Sequence, residues 1–126
     1  MKATIELHDV QIMSKQHSRG MRYGRTFTNH AYTAAKDALY WRAKGALYAA
    51  GWENPVACNV AVALSYRANR MNVDNVVGFV LDALEGCAYL KDGQVDVLRV
   101  RKRRKGPTWV GISLRTLERR RAPEAL

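Results

Sequence analysis

Asp74 and Asp92 stand apart from the other acids of this chain by their settings. Asp74 follows Arg67 and Arg70 at a strand-to-helix junction. Asp92 lies in the turn Lys91-Asp92-Gly93-Gln94, just ahead of a strand bearing Arg99, Arg101 and Arg103. A carboxylate beside a phosphate-binding surface repels its substrate unless a cation intervenes, and a divalent metal that bridges acid and phosphate resolves the conflict. Each residue also has a plainer use, Asp74 in the first turn of a helix and Asp92 in making a turn. Glu6, Asp9, Asp37 and Glu53 read as solvated surface or turn positions. His8, His17 and His30 show no ligand spacing. Cys58 and Cys87 have no paired CxxC spacing, sit in apolar stretches and read as small buried thiols.

The basic residues say what the acids would act on. The chain has 126 residues with 21 Lys and Arg against 11 Asp and Glu, a net charge of +10. Residues 97–126 hold 10 of those basic side chains and only 2 acids. A second, acid-free concentration comprises Lys15, Arg19, Arg22 and Arg25. Arg outnumbers Lys by 14 to 7, which suits planar, bidentate contacts to phosphate. With Arg67, Arg70, Lys91, Arg99, Arg101, Arg103 and Lys105, these form the candidate nucleic-acid-binding set. The basic strand has a second reading, a solvated edge that blocks aggregation. Trp109 and Tyr23 are candidates for stacking on exposed bases, or for the core and its rim. A membrane is the weaker polyanion, since no basic amphipathic helix and no run of roughly 18 apolar residues is present. The opening MKATIELHDV alternates like a strand and carries an early acid, so a cytoplasmic location is the expectation. At 48% apolar, the chain can bury a core and is no disordered basic tail.

The elements that must position these groups follow from periodicity. Ala3 to Val10 predicts a strand with Ile5 and Leu7 opposed to Glu6 and His8. Residues 14–28 lose the pattern and read as a basic loop punctuated by Gly20 and Gly24. A helix runs from an N-cap at Thr33 to about Ala50, with Leu39, Ala43, Ala46, Leu47 and Ala50 on one face, Tyr40, Trp41 and Tyr48 widening it, and Gly51 closing it. After Pro55, a strand puts Val56, Cys58, Val60, Val62, Leu64 and Tyr66 on one face. A second helix, capped by Asn72 and ended by Gly86, buries Val73, Val76, Val77, Val80, Leu81 and Leu84. Strands follow at Val95–Arg103 and around Val110, Ile112 and Leu114. From about 118 to 126 the chain reads as a frayed basic tail. The order predicts one α+β domain over 1–126, a mixed sheet packed by two helices.

The block NVDNVVGFVLDALEGCAYLKDGQV, residues 72–95, resembles the signature of the RusA family of Holliday junction resolvases. That signature runs D-x-D-N-x-x-K, D-A-L, a glycine turn and D-D-x-Q-V. Asp74-Asn75, Asp82-Ala83-Leu84, Gly86, Tyr89, Asp92 and Gln94-Val95 match in register. The segment RYGRTFTNHAYT, residues 22–33, is similar to the family's basic stretch before its first helix. The resemblance implies a RusA-like fold in a bacterial or phage-encoded homodimer. Such a protein would bind four-way DNA junctions and cut two strands symmetrically with Mg²⁺ or Mn²⁺, in DNA recombination and repair.

It also implies site residues: Asp74 and Asp92 as catalytic metal ligands, with Asn72 at the place of the family's first aspartate. Here the chain departs from the pattern. Asn72 offers a neutral carbonyl oxygen in place of a carboxylate. Gly78 replaces a lysine that would stabilise developing phosphate charge, and Lys91 replaces an acid. Three explanations stay open: an engineered Asp→Asn change at 72, a diverged homologue that binds junctions without cutting, or Lys91 supplying the missing cation. A small basic RNA-binding protein is a further alternative, although aromatic RNP-type strand motifs are absent.

Overall fold

The computed structural model describes residues 1–13, 30–68 and 71–117, and the backbone of two short strands at 19–22 and 25–28. Strand β1 (Lys2–His8) alternates as its sequence predicts, burying Ala3, Ile5 and Leu7. The segment expected to be a loop contains instead an antiparallel pair, β2 (Arg19–Arg22) with β3 (Arg25–Thr28). Ladder hydrogen bonds come from the main chain, so such a pair needs no apolar alternation. Lys15, Tyr23, Arg70, the side chains of Arg19, Arg22 and Arg25, and the tail from 118 lie outside the described residues.

Helix α1 (His30–Ala49) starts three residues before the expected cap, so Thr33 lies inside its first turn. It ends as Gly51 allows. With φ at 83°, Gly51 donates to the Tyr48 carbonyl and Trp52 donates to that of Leu47, at 3.1 and 2.9 Å. The helix buries Tyr32, Ala35, Leu39, Ala43 and Leu47. Trp41 and Tyr48 do not widen that face, being 64% and 79% exposed. A helix lying on a sheet buries only one stripe, and these two residues fall outside it.

Strand β4 (Val60–Arg67) buries Val60, Val62, Leu64 and Tyr66. It starts later than expected. Val56 makes only an isolated bridge to Tyr89, and Cys58 is exposed whereas Cys87 is buried. Helix α2 (Val73–Leu84) buries Val76, Phe79, Val80, Ala83 and Leu84, a stripe rotated from the expected one. Phe79 sets that rotation, packing edge-on against Tyr32 with ring centroids 5.6 Å apart. Val73 is 46% exposed, and Val77 and Leu81 are only half-buried.

Strands β5 (Val95–Lys102) and β6 (Trp109–Thr116) complete a four-stranded mixed sheet in the order β1-β6-β4-β5. β5 runs parallel to β4 through the α2 crossover, and the other pairs are antiparallel. α1 packs on β1 and α2, and α2 also touches β5. The helices therefore cover the face formed by Ile5, Ile112 and Leu64 and their row neighbours, and leave the opposite face open. The α+β architecture expected from the sequence is the one observed. Among the described residues, no helix is long and apolar enough to cross a membrane.

Candidate active site

The two aspartates stand at opposite ends of α2. Asn72 occupies the N-cap in an extended conformation, and its carbonyl accepts the Val76 N–H at 3.2 Å. Its side chain makes no capping bond and is exposed. Asp74 lies in the first turn, where a carboxylate complements the helix dipole. Gly78, one turn on, is exposed, and a Cβ added there would meet nothing within 4 Å.

At the other end, Glu85 is the C-cap and Gly86 follows with φ at 89°. The chain then folds back under the helix. The Trp52 indole N–H donates to the Ala88 carbonyl at 2.9 Å, and the Tyr89 hydroxyl donates to the Leu81 carbonyl at 2.7 Å. Burial drives the Tyr89 pKa upward, and the charges of Glu85, Asp92, Cys87 and Asp82 add to the rise. Asp92 opens a short 3₁₀ turn (Asp92–Gln94), and its N–H donates to Glu85 Oε1 at 3.0 Å.

Gln94 fixes this turn from within. Its Oε1 accepts the N–H groups of Leu90 and Lys91 at 2.8 and 2.9 Å. Its Nε2 donates to the carbonyls of Val56 and Cys58 at 3.0 and 2.8 Å. An ionised acid could not do both jobs, because a carboxylate only accepts, whereas a carboxamide carries an acceptor and two donors. Sequence reasoning placed Gln94 in a motif without finding this role. Glu85 was missed as well, since its bond to residue 92 forms only after the chain reverses.

A helix of twelve residues is about 18 Å long. Asp74 and Asp92 of one chain are therefore too far apart to share an ion. Among the described residues, no group of three or more His, Cys, Asp and Glu side chains is placed to hold a metal. Among the described residues, Asp74 and Asp92 of a single copy do not together fit a divalent ion.

The basic candidates divide between two regions. Lys91 is exposed next to Asp92. Arg99 and Arg101 project from β5 on the open side of the sheet, in register with Ala63 and Ser65 of β4. Arg103 stacks on the Trp109 ring at 4.7 Å, and Lys105 is exposed in the turn that follows. Arg67 ends β4. Its guanidinium donates to the Ala68 carbonyl at 2.7 Å, while its buried Nε has no partner. Lys2 and Arg115, absent from the sequence-based set, face each other directly across β1 and β6.

Residues 9–115 match the family model of the endodeoxyribonuclease RusA. No curated protein matches the chain.

Proposed function

The chain belongs to the RusA endodeoxyribonuclease family, and on that premise we propose that it is a homodimer that resolves four-way DNA junctions by metal-dependent hydrolysis. The observation that carries the dimer is the separation of Asp74 from Asp92 by the length of α2. A two-fold axis crossing α2 near Gly78 would set the helix antiparallel to its copy. Asp74 and Asn72 would then lie beside the partner subunit's Asp92. The surface suits such a contact: Val73, Val77 and Leu81 repeat at i, i+4 and i+8 with incomplete burial, and Gly78 leaves space for close approach.

Asp74, the Asn72 carbonyl oxygen and the partner subunit's Asp92 would hold Mg²⁺ or Mn²⁺ in each composite site, and the ion would supply neutralisation of phosphate charge and a more acidic attacking water. Lys91 travels with Asp92 and would bring its ammonium group to the side of the site that Gly78 leaves without a cation. With one carboxylate replaced by an amide, the site would hold such an ion less tightly.

Cleavage of a labelled four-way junction tests this reading. The chain should nick it slowly in Mg²⁺, Asn72→Asp should cut at least about tenfold faster, and Asp74→Asn should bind without cutting. Tight junction binding with no product from Asn72→Asp, even in Mn²⁺, would favour the second reading, a junction-binding homologue without catalysis. Stronger binding to structured RNA than to junction DNA would favour an RNA-binding protein.

A further inference from the structure

We infer that the open face of the four-stranded sheet is a cradle for the backbone of a duplex DNA arm; this rests on the chain acting on DNA. The strand registers arrange that face as four rows. They read Lys2-Arg115-Ala61-Val97, Thr4-Ser113-Ala63-Arg99, Glu6-Gly111-Ser65-Arg101 and His8-Trp109-Arg67, the last flanked by Arg103.

The middle of this grid is built of small residues. Ala61, Ala63, Ser65, Gly111 and Ser113 make a low floor, and Thr4 and Ser113 share a hydroxyl hydrogen bond of 3.0 Å across it. Cations stand around the floor. At one end, Lys2, Arg99 and Arg115 line a depression of about 450 Å³. At the other, Arg67, Arg103 and Lys105 line a second one of about 270 Å³, beside Trp109.

The charge on this face selects its occupant. Among the described residues, none of Lys2, Arg99, Arg101, Arg103 or Arg115 forms an ion pair, and the one acid of the grid, Glu6, lies 3.8 Å from His8. Like charges directly opposite each other in a sheet are destabilising, as Lys2 and Arg115 are here, so an anion between them would relieve the pair. A second copy of the same face would multiply the repulsion. A row of phosphates removes it, and binding then gains from counterion release.

The dimensions agree with a duplex. Ala61 to Arg67 spans six residue steps of β4, about 20 Å. That distance matches the axial rise of about six base pairs. The cradle also has a direction. Its Arg67 end is where β4 stops, and α2 begins at Val73 soon after. An arm running along the sheet would therefore extend past the end of the molecule at which α2, on the opposite face, carries Asp74.

The test compares Arg99→Ala/Arg115→Ala with the charge-keeping Arg99→Lys/Arg115→Lys, using the full chain, a labelled four-way junction and linear duplex over a salt series. Loss of two phosphate contacts should flatten the slope of log K against log salt by about 2 for the alanine pair, on both DNAs. The lysine pair should keep the slope. Matching circular dichroism and melting curves for the two pairs would show that the alanine pair folds. An unchanged slope in the alanine pair would overturn the cradle, even if Asp74→Asn still abolished cutting. A change of oligomeric state in sedimentation would also overturn it, by making this face a contact between copies. Retained cutting by Asp74→Asn would instead count against the acidic site, whatever the slope.

Discussion

The indole of Trp109 lies over Gly111. A methyl group built on that glycine would sit 2.7 Å from ring carbon Cη2 and 2.8 Å from Cζ2. The missing side chain at 111 is thus what lets the ring rest on the open sheet surface and receive Arg103.

Gly111→Ala should therefore push the ring off the sheet. The overpacking should cost about 1–3 kcal/mol, read as a lowered melting temperature. Junction binding should weaken as well, because Arg103 loses the ring that orients it. A variant that melts and binds as the parent does would show that the ring has room to move.

Asp74→Asn and Asp92→Asn should each be inactive alone, yet a mixture of the two should regain nicking. In a mixed dimer one composite site carries both substitutions and the other carries neither. That dimer should cut one strand and not two, which a junction labelled on each strand would reveal. A mixture as inactive as its components would place both aspartates in one chain's site.

Glu85→Ala should loosen the turn that carries Asp92, because the carboxylate accepts the Asp92 N–H. The bond is exposed, and its loss should cost about 0.5–1.5 kcal/mol locally. Hydrogen exchange at the Asp92 amide should speed up by about tenfold, and cleavage should fall with it. Glu85→Gln retains an acceptor oxygen and should restore slow exchange.

The two thiols should separate by reactivity. Burial pushes the Cys87 thiol from its ordinary value near 9 up to about 11, so it stays protonated at pH 8. Cys58 is exposed. A thiol-specific reagent should titrate one group per folded chain and two after denaturation. The same shift has a consequence for stability. A pKa raised by folding means that the unfolded chain ionises first, so stability from Cys87 is full below about pH 9 and lost toward 11. Tyr89, also raised, extends that loss to more alkaline pH. Urea midpoints measured from pH 8 upward should fall steadily.

Much of this fold is legible in the chain because β1, β4 and β6 each bury one face, and period-two alternation survives in Ile5-Leu7, Val62-Leu64 and Ile112-Leu114. β2 and β3 are not legible, since their segment lacks that alternation. Trp41 and Tyr48 mislead because apolar character does not say which side of a helix faces the sheet. In α2 the decisive residue is Phe79, which packs on Tyr32, far away in sequence.

The candidate site is legible in its residue types and not in its distances. Asp74 and Asp92 look adjacent as motif positions, and the helix between them turns that spacing into a gap. Gln94 shows the same limit, as its bonds to Val56 and Cys58 join segments 38 and 36 residues away.

In the proposed dimer, α2 acts as a ruler. Two composite sites, one at each end of the paired helices, would be separated by about the 18 Å that twelve residues span. That is close to five base pairs of axial rise. The spacing of the two nicks is then written in the number of helical residues between Asp74 and Glu85. Inserting four residues, about one turn, would move the sites roughly 6 Å farther apart while keeping nearly the same faces in contact.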